Sequence, residues 1–372
     1  MKLNYQKISI AFIAFLLIVS GALSVNNYSA QAAQGDSVKL GTVVKRTLDA
    51  DGMDYFQFTS TKKQTMKLSF KDAGKKAIGL AVVKGLTAKQ IEQLEQETMS
   101  DAEFEKLLDE VKVVALIDNM KGEDSIGQHT AYVGLQKGTY FVMAIGEAAE
   151  VKKYGNAYSV SLAKSTKKYV EYESNDTRAK ATAMQRSKVY EGSLAFLFDD
   201  VDYYKVQVPT TGKLVLKAST KKRADFSMNI YDAKKKKLKK TTTKSGNHYV
   251  TTASVKKGTY YVRVSGDAYD EFLLHYQLKA YVKTATPKAS VVNKKGTKND
   301  RIKVTGVKKG DTVIVYADAK KKKVIAQKKA TSSTVTFKTT KLSDRGGKVY
   351  VTAKNNVLYT SSTKSVTYKK VK

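Results

Sequence analysis

Cysteine and tryptophan are absent from the 372 residues, and there are only two prolines and three histidines. Without cysteine there can be no disulfide, thiolate metal site, cysteine nucleophile or iron–sulfur cluster. His129, His248 and His275 are scattered, each beside a presumptive β segment, so they leave little material for a zinc site or a histidine-based triad. Neither H-E-x-x-H nor G-x-S-x-G occurs. Acid is also scarce, with 34 Asp and Glu against 67 Lys and Arg, a formal charge of +33. What remains is 42% hydrophobic residues and 23 tyrosines, enough for packed cores. This balance favours a β-rich binding or structural protein over an enzyme.

The N-terminus reads as an export signal. Lys2 and Lys7 precede an apolar run from Ile8 to Val19, and Ala30-Gln31-Ala32 offers small residues for cleavage after Ala32 or Ala33. The apolar run is shorter than the ~20 residues that cross a bilayer. The expectation is a signal peptide over 1–33, a secreted or wall-associated mature chain and no membrane span after cleavage. Disulfide-free export suits a Gram-positive bacterium.

Charge divides the rest into three. Residues 34–168 hold 20 basic and 18 acidic residues, 169–283 hold 22 and 12, and 284–372 hold 23 and 4. Lysine runs at Lys234, Lys235, Lys236 and Lys237, and at Lys320, Lys321, Lys322 and Lys323, fall between alternating apolar segments, where hairpin tips are expected. A solvated tip is one reading of each run. A whole domain this basic points instead to a polyanionic neighbour, because its self-repulsion needs compensation. For an exported chain that partner is an anionic, teichoic-acid-like wall polymer. Nucleic acid is less suited, since the tyrosines alternate within strands and form no stacking platform.

Two copies of one unit are visible. Asp54-Tyr55-Phe56-Gln57-Phe58 matches Asp202-Tyr203-Tyr204-Lys205-Val206, and Lys137-Gly138-Thr139-Tyr140-Phe141-Val142 matches Lys257-Gly258-Thr259-Tyr260-Tyr261-Val262. Each copy closes on a tyrosine-led strand, Tyr158 to Leu162 and Tyr276 to Ala280. The first copy is longer by a segment, 86–113, with capping-box spacings at Thr87/Gln90 and Ser100/Glu103 and apolar residues at helical intervals. It reads as a two-helix insertion, either a lid over one sheet edge or a partner-binding arm. Elsewhere the period is two, with glycine turns, which predicts an all-β chain of tandem antiparallel sandwiches.

The most specific chemistry opens the second copy. Glu171-Tyr172-Glu173-Ser174-Asn175-Asp176 is followed by Asp199-Asp200-Val201-Asp202. Calcium needs six to eight oxygen ligands, and two acidic strings meeting at one edge could supply them. The alternative is that Asn175 or Asp176 caps a short helix through Thr177 to Ala183. The first copy has Asp49, Asp51 and Asp54 with only Asp36 upstream, half a site at best.

This order, E-Y-E-S-N-D-T, G-S-L, D-D-V-D-Y-Y and K-K-G-T-Y-Y-V-R-V, resembles the bacterial pre-peptidase C-terminal domain. That β-sandwich accompanies secreted peptidases, and clostridial collagenases carry a relative as their collagen-binding module. The resemblance covers 169–283 throughout and 36–166 more weakly. It implies calcium held by Glu171, Glu173, Asn175, Asp176, Ser193 and Asp202, with one of Asp199 or Asp200. Residues 284–372 resemble a bacterial Ig-like module. The expected protein is a non-catalytic, calcium-binding spacer or binding module held at the envelope by its basic C-terminal domain. The alternative is an adhesin or targeting module for an extracellular, collagen-like protein. Against collagen, the strand Val262 to Asp267 offers Arg263, Ser265 and Asp267 where aromatic contacts would be needed.

Overall fold

The computed structural model describes residues 36–48, 53–72, 78–87, 89–90, 93, 99–117, 128–146, 156–173, 175–195, 201–221, 224–267, 273–294, 300–339 and 342–371. The signal segment, Asp49, Asp51, Asp199 and Asp200 lie outside these residues. Among the described residues no helix is long and apolar enough to cross a membrane.

Six sheets pair into three sandwiches. In the first, a five-stranded sheet runs in the order Ser37–Val38, Met53–Ser60, Gly138–Gly146, Ile78–Lys84, Lys112–Ile117. It faces a four-stranded sheet ordered Val43–Thr47, Ala157–Ser165, Gln64–Asp72, Gln128–Leu135. The second sandwich repeats the plan. Thr182–Met184, Asp202–Val208, Gly258–Asp267 and Asp225–Asp232 form one sheet. Val189–Ala195, Leu273–Lys283, Gly212–Thr220, His248–Val255 and Lys240–Ser245 form the other. The third sets Lys288–Val292, Asp300–Thr305 and Thr334–Thr339 against Val324–Lys329, Thr312–Tyr316, Gly347–Lys354 and Lys364–Tyr368.

Alternation builds each core. Along Asp202–Val208 every second residue is buried, so Tyr204, Val206 and Val208 enter the core. Asp202 begins that inward row, which places a carboxylate at the end of an apolar layer. The repeat extends to hydrogen bonds. Tyr140 OH takes the Gln136 amide at 2.8 Å and returns a bond to the Gln136 carbonyl at 3.0 Å, and Tyr260 does the same with Lys256 at 2.9 and 3.2 Å.

The inserted segment departs from expectation. Among the described residues the helix Asp101–Glu110 is complete, opened by the Ser100/Glu103 capping box, and residues 89, 90 and 93 are also helical. Thr87 and Gln90 do bond reciprocally, but most of that first expected helix lies outside the described residues. The helix covers a sheet face and not an edge. Leu107 and Val111 pack with Tyr55, Ala81, Val83, Phe141 and Met143, the outward-facing apolar residues of the five-stranded sheet. The segment then supplies that sheet's edge strand, Lys112–Ile117, paired to Ile78–Lys84.

Candidate metal centre

Two strands and one extended segment bring the second copy's acids together. Asp202 comes from the inward row described above. Glu171 and Glu173 come from the segment entering the sandwich, tied to the strand Val189–Ala195 by Glu171 N to the Glu191 carbonyl at 2.9 Å. Carboxylate oxygens of Glu171, Glu173 and Asp202 all lie within 4.8 Å of one another, and all three residues are buried. Asn175 is fully buried, and neither its Oδ1 nor its Nδ2 has a hydrogen-bond partner. An orphaned buried amide costs about 1–3 kcal/mol, so Asn175 is a buried polar side chain whose hydrogen-bonding capacity the protein itself leaves unused.

Two tyrosines floor the cluster. Tyr276 OH donates to Asp202 and lies 3.1 Å from Glu171 Oε2, while Tyr204 OH lies 3.2 Å from that oxygen and 2.7 Å from Tyr276 OH. Burial pushes both phenols well above their ordinary range, and the charges of Glu171 and Asp202 push further, so both remain protonated donors.

The sequence-predicted ligands take different places. Glu171, Glu173 and Asp202 converge, with Asn175 beside them in sequence and equally buried. Asp176 is divided: Oδ2 pairs with Lys112 Nζ at 2.8 Å, while Oδ1 is buried without a partner. Ser193 positions Glu171, donating to its Oε1 from both the backbone amide and Oγ. The helix that Asn175 or Asp176 might have capped is not there. A turn closes from Lys180 N to the Thr177 carbonyl at 3.1 Å, and a strand begins at Thr182. His248 starts a strand as an exposed residue, and His275 is half-buried opposite Ser193.

Sequence reasoning missed Tyr204, Tyr276 and Gly192. A Cβ on Gly192 would lie 2.5 Å from both Glu171 Oε2 and the Tyr276 hydroxyl, so only glycine admits the carboxylate there. The first copy supplies the comparison that could have found them. Arg46 stands opposite Tyr158 across its strand pair, as Gly192 stands opposite Tyr276. Tyr158 OH donates to Asp54 at 2.5 Å, and Arg46 bonds Asp54 at 3.1 Å and Asp36 at 2.6 Å. The first copy therefore carries a guanidinium where the second has a glycine and added acid.

The acidic string also forms the contact between the first two sandwiches. A Cβ on Gly134 would sit 1.8 Å from the Glu171 carbonyl oxygen, so the strand Gln128–Leu135 touches the string backbone to backbone. Lys63 Nζ lies 4.0 Å over the Tyr172 ring, and Lys167 Nζ, 3.9 Å over the Tyr132 ring, reaches Glu191 at 2.5 Å. A cleft of about 460 Å³ between these sandwiches is lined by Glu171, Glu173, Lys167 and His275 among others.

The lysine runs share one local design. The six residues Asp232–Lys237 recur as Asp318–Lys323. Asp232 Oδ1 accepts from Lys234 N at 2.9 Å and Lys236 N at 3.0 Å, and Asp318 accepts from Lys322 N and Lys323 N at 3.0 and 2.6 Å. These backbone bonds, Lys323 first, hold the Asp318 carboxyl below its usual range. Lys235 and Lys321 adopt φ of 68° and 59°, a left-handed conformation that side-chain-bearing residues seldom take.

The buried cluster of Glu171, Glu173 and Asp202 at the edge of this β-sandwich could hold a metal ion. Residues 200–266 match the bacterial pre-peptidase C-terminal domain. Among solved structures, the pre-peptidase C-terminal domain of a Bacillus anthracis collagenase is 18% identical over 27% of this chain and 93% of its own, with a TM-score of 0.23. A DUF4785 family protein from Legionella pneumophila is 11% identical over 88% of this chain and 92% of its own, with a TM-score of 0.25. No curated protein matches the chain.

Proposed function

We propose that this is a secreted, non-catalytic binding or spacer module in which the second sandwich holds one calcium ion. In this reading the basic C-terminal third keeps the protein at the anionic envelope of a Gram-positive cell. The observation that carries the calcium reading is the set of three buried carboxylates within 4.8 Å of one another. Like charges packed this closely in a low-dielectric site destabilise the fold unless a cation compensates them. The donors are all oxygens, carboxylate and amide, the set that calcium prefers. Glu171, Glu173, Asp202 and the Asn175 oxygen would hold the ion, with Asp176 Oδ1 as a further donor. Tyr204, Tyr276 and Ser193 keep the carboxylates aimed. Calcium supplies two positive charges that fasten the entering segment to the sandwich.

The test is calorimetric melting of the full chain in chelator and in millimolar calcium. An ion that binds only the folded state adds about 2.7 kcal/mol at a hundredfold excess over Kd. One transition should rise with calcium while the others stay. A thermogram identical in both buffers would refute the metal site.

A further inference from the structure

The third sandwich docks on one particular end of the second. Leu358 is 7% exposed and packs into the second sandwich's core, where a Cβ on Gly212 would meet its Cδ1 at 3.2 Å. Thr284 N reaches the Tyr359 carbonyl at 2.9 Å, and Tyr359 N returns to the Val282 carbonyl at 3.0 Å. Strand register identifies what else lies at this end. Gly212 pairs with Val255, Val208 with Gly258, and Asp232 with Tyr260, so the loops 209–211, 233–239 and 256–257 all emerge here. From the other side, Lys308 Nζ reaches Thr210 Oγ1 at 3.4 Å.

This junction therefore assembles lysines far apart in sequence: Lys234 to Lys237, Lys239, Lys256 and Lys257 from the second sandwich, and Lys308 and Lys309 from the third. All are exposed, and none forms an ion pair among the described residues. The acids beside them are turned to structural use. Asp232 holds the turn at Lys234 and Lys236, and buried Asp311 accepts from Lys308 N and Asn355 Nδ2 at 2.9 and 3.0 Å. The left-handed Lys235 costs conformational energy that a disordered tip would not carry, so this run is presented and not merely tethered. Lys320 to Lys323 lie elsewhere. Thr312 pairs with Lys354, next to the docked turn, and the strand then runs to Tyr316, which puts that lysine turn roughly 17 Å further out, at the opposite end of the third sandwich.

We propose that the junction of the second and third sandwiches is the docking surface for a linear phosphodiester polyanion, gripped by lysines of both units at once. This rests on the envelope reading above and replaces its emphasis on the C-terminal unit alone. Lysine is a compact point charge on a flexible stem, which suits a mobile chain of phosphates more than a shaped, bidentate ligand. A base-bearing polymer would call for stacking rings. The exposed aromatic residue at the junction, Tyr359, is tilted onto Tyr281 at 5.0 Å, which gives one ring and not a row.

The test measures binding of synthetic poly(glycerol phosphate) to the full chain as a function of salt. With single-stranded nucleic acid as the reference polyphosphate, the slope of log K against log salt falls by about 0.7 for each phosphate contact removed. The variant Lys256→Gln, Lys257→Gln, Lys308→Gln, Lys309→Gln should therefore flatten the slope by about 2.8 and weaken binding roughly tenfold or more at physiological salt. Glutamine at all four of 320–323 should change it much less. Equal or larger losses from the outer turn would overturn the junction while leaving the envelope reading intact. Tighter binding of oligo(dT) at matched charge would make the surface a nucleic-acid site instead. Failure of the wild-type chain to hold the polymer even at low salt would remove both.

Discussion

Substituting Asp202→Asn should change the protein's stability in opposite directions with and without calcium. Two unit charges 4.8 Å apart repel by about 3.5 kcal/mol at an effective dielectric of 20, and Asp202 faces two such neighbours in Glu171 and Glu173. Relaxation and proton uptake remove part of this, so the expected gain on neutralising Asp202 in chelator is about 1–3 kcal/mol. The substitution preserves the local bonds. Asparagine's oxygen can still accept from Tyr276, and its amide can donate to either glutamate. For a unit of this size 1 kcal/mol moves the midpoint by about 3–6 °C, so the second sandwich of the variant should melt at least several degrees higher in chelator. In calcium at a thousandfold excess over Kd the order reverses, because the wild type gains about 4.1 kcal/mol and the variant, one anionic ligand short, gains far less. Differential scanning calorimetry in both buffers reads the crossing directly. A variant that is less stable by the same amount in both buffers would show that Asp202 is a structural acceptor for Tyr276, and the cation argument would fail.

Other outcomes follow from the same packing. Leu107→Ala should destabilise the first sandwich by about 2–4 kcal/mol in urea unfolding, since Leu107 is 1% exposed against the sheet's outer apolar face. An accessory lid would lose almost nothing. Burial raises the Tyr140 phenol to about 12, above its value of 10 in an open chain. Ionisation then favours the unfolded state between those values, so this contribution to stability is whole below pH 10 and is lost as pH climbs toward 12. Tyr140→Phe, less stable at neutral pH for want of the Gln136 bonds, should approach the wild type across that interval in pH-dependent melts.

What the chain reveals by reading depends on how local the cause is. Period-two alternation and the Lys-Gly-Thr-Tyr turns were legible because each strand's burial is decided by its own residues. The acidic strings were legible because Glu171, Glu173 and Asn175 are close in sequence and Asp202 is the first inward position of a recognisable strand. Gly192 and Tyr276 were not, since their role exists only through the register that sets them opposite each other. The helix 101–110 was readable from its cap and its spacing. Its target was not, because the apolar outer face made by Tyr55, Val83 and Phe141 is scattered over three strands. The lysine junction was hidden for the same reason: the loops bearing Lys256 and Lys308 come to one end only once Leu358 seats the third sandwich on the second.

The two copies set the same aspartate–tyrosine pair among different charges, and this gives a further expectation. Each buries an aspartate against a tyrosine, Asp54 with Tyr158 and Asp202 with Tyr276. In the first copy Arg46 compensates from within the chain; its side chain is 25% exposed and that of Asp54 13%. Removing one partner of a mostly buried pair costs more than the pair contributes, because the remaining charge stays desolvated. Arg46→Met should therefore lower the stability of the first sandwich by about 2–3 kcal/mol, less than the full cost of a buried pair because both groups are partly solvated. Adding Asp54→Asn to that variant should recover part of the loss, since no uncompensated carboxylate is then left. Calcium should not rescue Arg46→Met, because the first copy lacks the Glu171–Glu173 string that would complete a coordination sphere. Rescue by calcium would mean that the first copy's acids, Asp54 with Asp36, Asp49 and Asp51, suffice to hold an ion, and that Arg46 guards a second metal site instead of replacing it.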